Sequence, residues 1–174
     1  MLWLRSKITF LALVCLFILN SCGFRPLYLQ SSNFSNDVLS HLATIQVDPI
    51  ADRAGQQLRN MLEGKLKLNR PQTPNRYGLS VNLKETRTNL VILKDASSTF
   101  ARLRMDAVYK LYDIQSNNPL SQGQSESTTI FNLVESEFAN INAQADARKR
   151  AVTQISDDIQ LKLGLFFHRL VYNR

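Results

Sequence analysis

The clearest pattern in the chain is a strict alternation over residues 101–112. Ala101, Leu103, Met105, Ala107, Tyr109 and Leu111 fall on one side; Arg102, Arg104, Asp106, Val108, Lys110 and Tyr112 fall on the other. Period two marks a strand with one face in a core and the other accessible. Upstream, Leu79, Val81 and Leu83 alternate with Ser80, Asn82 and Lys84, an apolar run follows from Leu90 to Leu93, and Asp95 to Ser98 reads as a turn. Glu85 and Arg87 fall on the core side of that pattern, which predicts a bulge or an uncovered strand end there. Downstream, Ser116-Asn117-Asn118-Pro119 is a turn, and a polar strand poor in large side chains runs from about Leu120 to Leu133. Thr44 to Val47 is a short β-like run ended by Asp48-Pro49.

Two stretches change to helical period. Ala54, Leu58, Met61, Leu62 and Leu66 share one face, with Asp52 where an N-cap oxygen belongs. Asn69-Arg70-Pro71 and Pro74-Asn75 end that helix in a loop. The last element is long: Ala147, Ala151, Ile155, Ile159, Leu163, Phe166 and Leu170 form a continuous apolar stripe, with Asp157 and Asp158 across from it. The order β-α-β-β-β-α predicts an α+β fold, a single mixed four-stranded sheet with two α-helices packed on one face. A first crossover between parallel strands is right-handed. Gly23 to about Ala43 has no sustained period and reads as a tether, and no internal repeat is visible.

The N-terminus adds a location. Arg5 and Lys7 precede a run, Ile8 to Leu19, that is apolar but for Thr9, and Leu19-Asn20-Ser21-Cys22 follows. A spanning helix needs about 20 apolar residues, so this segment fits a signal peptide. An apolar residue at −3, a small one at −1 and then cysteine is the pattern of a bacterial lipoprotein, with Cys22 as the lipidated first residue of the mature chain. Two or more acyl chains anchor a protein stably. Gly23 replaces the Asp that signals inner-membrane retention, which points to the outer membrane. The expected organisation is residues 1–21 as signal peptide, 22–43 as lipidated tether and 44–174 as one α/β domain.

Composition narrows the chemistry. The chain has 174 residues and a net charge of +7, which falls to about +5 once Arg5 and Lys7 leave with the signal. Removing Cys15 and acylating Cys22 leaves no thiol for a disulfide or a metal. A basic surface attracts polyanions; outside the cytoplasm these are phosphorylated lipids, not nucleic acid. The two histidines, His41 and His168, show no metal-ligand spacing, and no Gly-rich loop follows a strand. Asp157-Asp158 point about 100° apart on a helix, as a solvated face does. No catalytic group, metal or cofactor is expected. Lys84, Arg102, Arg104 and Lys110 leave the sheet on the face away from the helices. If Val91 faces Leu103, Lys84 lies opposite Lys110, a like-charge pair that an anion would relieve; a solvated sheet face with scattered charge has the same pattern. Arg148-Lys149-Arg150 forms a second basic cluster that reads more simply as a solvated face.

Cys22-Gly23-Phe24-Arg25-Pro26-Leu27-Tyr28 resembles the mature N-terminus of the LptE family of lipopolysaccharide-assembly lipoproteins, in its alphaproteobacterial form. Gln56-Gln57-Leu58-Arg59-Asn60, the strand Arg102 to Asp113, and Asp146-Ala147-Arg148-Lys149-Arg150-Ala151 through Asp157-Asp158-Ile159 are similar to the same family. The resemblance implies two helices on a four-stranded sheet and no catalysed reaction. It also implies a place inside the outer-membrane β-barrel LptD, whose assembly it assists, and contact with lipopolysaccharide. The basic face, with Arg87 and Lys94 near the strand ends, is then the candidate contact for lipid A or core phosphates, and the polar strand suits a barrel lumen. An accessory lipoprotein of another envelope lipid-transport system shares the same anchor and fold; a periplasmic hydrolase lacks its nucleophile–base pair here.

Overall fold

In the computed structural model the described residues are 33–67, 74–91 and 99–172. The chain divides into two units, Met1–Ser35 and Asn36–Arg174, and the fold below is that of the second. The elements are helix α1 (Asn33–Ala43), strand β1 (Ile45–Val47), helix α2 (Asp52–Lys67), strands β2 (Tyr77–Val91), β3 (Thr99–Asp113) and β4 (Pro119–Leu133), and helix α3 (Glu137–Tyr172). One mixed sheet has the order β1-β2-β3-β4, with β1 parallel to β2 and the other pairs antiparallel.

Among the described residues three helices, not two, accompany the sheet. The additional one, α1, covers the end of the segment expected to be an irregular tether. Val38 and Leu42 lie one turn apart and are both buried in the common core, with Leu39 packed beside them. So short a helix is marginal alone; docking of that one face holds it. The remaining tether, residues 22–32, lies outside the described residues.

The alternation in β3 holds along its length. Every predicted core residue from Ala101 to Leu111 is buried, and Arg102, Arg104, Val108 and Lys110 are exposed. The two strand-like stretches upstream are one strand, β2, whose ladder with β3 is continuous from Tyr77↔Asp113 to Val91↔Thr99. Of the two outcomes expected near Glu85 and Arg87, the bulge is absent and the uncovered strand end is found, with Thr86 to Asn89 exposed; the register shift lies at Leu111/Tyr112 against β4. Glu85 is tolerated on the core side because Arg148 of α3 grips it with two bonds, Nε to Oε2 at 2.8 Å and Nη2 to Oε1 at 2.7 Å.

Helix α2 buries Ala54, Leu58, Leu62 and Leu66, with Met61 half-buried. It starts at Asp52, whose φ of 67° turns the chain out of β1 into the helix, a conformation that Asp tolerates better than most residues. In α3 the buried stripe is Ala147, Ala151, Ile155, Ile159, Leu163 and Phe167. The expected change of step to Phe166 and Leu170 does not occur: Phe166 is half-buried and Leu170 is exposed. A four-residue step advances the contact line by about 40° each time, and a twisted sheet lets that drifting line stay buried.

The two margins of the sheet differ. On the outer side of β2 the ladder to β1 ends at Leu79, and only Asp48 N–H, bonded to the Leu79 carbonyl, extends it. On β4, Lys162 of α3 donates its Nζ to the Gln124 carbonyl at 2.7 Å.

Candidate functional site: the open face of the sheet

The face of β2, β3 and β4 turned away from α3 is built from rows fixed by the register. From one end they read Leu90-Phe100-Asn132, Thr88-Arg102-Ile130, Thr86-Arg104-Thr128, Lys84-Asp106-Glu126, Asn82-Val108-Gln124 and Ser80-Lys110-Gln122. Lys84, Arg102, Arg104 and Lys110 all lie on this face, as the alternation requires, and all are exposed.

Their pairing is not the expected one. Lys84 lies opposite Asp106, and Lys110 opposite Ser80. The like-charge pair is absent, and with it the argument that an anion must relieve it. Arg104 is the centre of an ion cluster: Nε reaches Asp106 Oδ1 at 3.0 Å, and Nη2 reaches Glu126 Oε2 at 2.9 Å. Its guanidinium is held even more firmly protonated than usual, first by the Asp106 hydrogen bond and then by the charges of Asp106 and Glu126. Lys84 faces Asp106 in the register but makes no hydrogen bond or ion pair to a described residue.

Arg102 and Lys110 make no hydrogen bond or ion pair to a described residue, but eight positions along one strand separate them by about 26 Å. Arg87 is on the other side of the sheet. It donates to Gln144 Oε1 at 2.8 Å and lies 5.8 Å from the centroid of the Phe131 ring. Lys94 and Cys22 lie outside the described residues. The five described basic candidates therefore do not form one patch: Arg104 is compensated by Asp106 and Glu126, Lys84, Arg102 and Lys110 stand along the open face without an ion pair to a described residue, and Arg87 faces α3.

The second basic cluster is likewise engaged, Arg148 with Glu85 and Arg150 with Asp146. The paired aspartates separate as helix geometry requires. Asp157 meets Lys65 at 2.5 Å and Asp158 meets Lys162 at 2.6 Å. His41 stacks on Phe167 with ring centroids 5.2 Å apart and shares a 3.2 Å hydrogen bond with the Tyr77 hydroxyl. His168 stacks on Tyr172.

One part of the open face escaped the sequence reading. Tyr112 lies flat across Gly78, its cross-strand neighbour, and donates its hydroxyl to Asp48 at 3.1 Å. A Cβ on residue 78 would stand 2.1 Å from the Tyr112 ring. Tyr109 covers Gly123 in the same way on the core face. The available signal was a glycine inside each strand pattern, which marks close approach of another group.

Ionisation of these groups sets the pH range of the fold. Asp113, in the turn after β3, is held below the usual carboxylate range, chiefly by the Ser116 backbone N–H. Burial is the largest single influence on Asp158 and works against its charge, but the Lys162 hydrogen bond, the Ser125 hydroxyl and the Lys162 charge together bring the net shift downward. Burial pushes Tyr109 up, with the Asp158 charge adding; burial and then the Asp48 hydrogen bond push Tyr112 up. A lowered carboxyl contributes stability that is present above about pH 4 and lost as pH falls. A raised phenol contributes stability that is present below about pH 10 and lost as pH rises. The melting temperature should plateau from about pH 5 to 9 and fall on both sides. Tyr109→Phe should flatten the alkaline fall, and thermal melts across pH check this.

Known proteins bear on the fold and the family. No curated protein matches the chain. A crystal structure of a candidate lipoprotein from Caulobacter crescentus CB15 is similar, with a TM-score of 0.61 and 24% identity, over 74% of this chain and 94% of that one. At that identity the likeness concerns the fold. A minor lipoprotein from Acinetobacter baumannii has a TM-score of 0.48 and 14% identity, over 70% and 88% of the two chains, and carries no argument. The LptE family model, described as lipopolysaccharide-assembly, matches residues 42–163. That span runs from the end of α1 into the last turns of α3 and includes the whole sheet. The chain belongs to the LptE family, non-enzymatic accessory lipoproteins of lipopolysaccharide assembly at the outer membrane.

Proposed function

We propose that this protein is acylated at Cys22 and works on the periplasmic side of the outer membrane as the plug and assembly partner of an LptD-type β-barrel, taking part in lipopolysaccharide delivery to the cell surface. The family match over residues 42–163 carries this reading. The Ser/Thr/Gln-rich strand β4 supports it, because a polar barrel lumen is met by hydrogen-bonding side chains. Cations on the open face meet lipopolysaccharide phosphates. Arg102 leads, since its guanidinium is uncommitted and can grip a phosphate with two parallel bonds. Lys110 and Lys84 follow; Arg104 requires its carboxylate partners to yield first. Arg87, on the α3 side and bonded to Gln144, does not share this face, and Lys94 lies outside the described residues.

Gentle detergent extraction followed by affinity capture should bring down a β-barrel near-stoichiometrically, and capture of the lipoprotein alone would overturn the reading. For the lipid contact, Arg102→Glu should weaken binding to purified lipopolysaccharide about tenfold, the scale of one charged hydrogen-bonded contact, with an unchanged melting temperature. Equal binding by wild type and Arg102→Glu would remove the open face from the lipid path.

A further inference from the structure

The last turns of α3 carry apolar residues on both sides. Toward the sheet lie Ile159, Leu163 and Phe167, all fully buried. Outward lie Leu161, Leu165 and Tyr172, which are 48%, 42% and 62% exposed; Leu170, 43% exposed, continues the sheet-facing line beyond the end of the sheet. Lys162, His168 and Arg169 share that outward side, so exposed apolar groups alternate with cationic and polar ones there. The surface continues onto Ile114 in the turn after β3 and Leu120 at the start of β4, both exposed.

Cations stand among these apolar groups. A cleft of about 560 Å³ opens between the sheet end and α3, with Arg76 and Arg169 in its lining beside Tyr77, Phe166, Leu120 and Leu170. Arg76 lies 5.3 Å from the centroid of the Tyr77 ring. The one carboxylate in the lining, Asp113, is 4.0 Å from Arg76 and already accepts the N–H groups of Gln115 and Ser116. Aromatic and aliphatic side chains interleaved with arginines fit the interfacial zone of a phospholipid leaflet, where acyl chains meet phosphates. Among the described residues no helix is long and apolar enough to cross a membrane.

His41, near the C-terminal end of α1, rests on Phe167 and Tyr77 at this same end of the domain.

We propose that this end of the domain is a second membrane contact, in which the exposed apolar groups of the last turns of α3, with Ile114 and Leu120 at the sheet end, lie in the headgroup region of an anionic phospholipid leaflet and Arg76 and Arg169 meet lipid phosphates. The proposal takes its location from acylation at Cys22, but the surface acts without the acyl chains and is tested without them.

The full mature chain carrying Cys22→Ser is floated with vesicles of phosphatidylethanolamine and phosphatidylglycerol at low salt. It should rise with them, and added salt or replacement by phosphatidylcholine should reduce the bound fraction several-fold. Leu165→Asp with Leu170→Asp should lower binding at least tenfold, and Arg169→Glu alone should lower it several-fold. All three side chains are exposed, so melting curves should match the parent.

A Cys22→Ser chain that stays at the bottom of the gradient overturns the proposal, as does undiminished flotation of the variants. Self-association of the parent that the leucine pair disperses, without flotation, would assign the face to a second copy. Loss of barrel co-purification by the leucine pair, with flotation intact, would assign it to the barrel. The mass of the N-terminal peptide from native membranes reports acylation separately, so failure of the anchor and failure of this surface are distinguishable.

Discussion

Phe167→Ala should cost about 3–5 kcal/mol of stability, the usual scale for truncating a fully buried aromatic. Phe167 has no exposed surface, and its ring touches His41, Tyr77 and Phe166 at centroid distances of 5.1–5.2 Å. It is where α1, β2 and α3 meet. Removing it leaves a cavity and deprives His41 of the ring it stacks on, so α1 loses one of the contacts that hold it, beside Val38 and Leu42. A melting temperature lower by about 10 °C or more is expected, together with early proteolytic cleavage within residues 33–43. A melting temperature within a degree or two of wild type would mean that α1 docks through Val38 and Leu42 alone.

Arg148→Ala should destabilise by about 2 kcal/mol, less than the 3–5 kcal/mol of a fully buried pair because both side chains keep about a quarter of their surface exposed. The loss leaves Glu85 on the core side of β2 without its counter-charge. Arg148 itself is held more firmly protonated by the Glu85 hydrogen bond, with burial opposing. The informative partner is the double replacement Glu85→Leu with Arg148→Met, which should recover most of the loss, since an apolar pair of similar volume needs no compensation. Urea unfolding of the two single variants and the double gives the coupling directly. Additive losses would show that the pair is solvated and contributes little.

The parts of the fold that could be read from the sequence are those where one period runs uninterrupted. The β3 alternation identified every core residue of that strand, because a two-residue repeat on a half-covered sheet has one solution. Strand register was a different matter. Placing Val91 against Leu103 rather than Thr99 slides β2 by four positions, an even shift that keeps each side chain on its own face. Hydrophobic pattern cannot detect such a slip; the length of the connection decides it. The consequence was local but decisive for the site, moving Lys84 from Lys110 to Asp106.

Helix α1 was invisible for a related reason. Asn36, Asp37, Ser40 and His41 dilute Val38, Leu39 and Leu42, so less than two turns of apolar period can be seen, and its stability comes from groups far away in the sequence. In the candidate site, side-chain direction was legible and charge compensation was not. Asp106 was visible two residues from Arg104, but Glu126 reaches the cluster only through the β3–β4 pairing.

The unequal margins of the sheet have a consequence for how copies of this chain misassemble. With Lys162 capping an outward carbonyl of the last strand, growth by strand addition is obstructed there. Beyond Leu79 the outer amides of β2 have no ladder neighbour among the described residues and no such side-chain cap, so a stranded polypeptide seeking a template in the crowded envelope meets the less obstructed border there. Fibrillar aggregates of this protein should therefore be seeded from the β2 side.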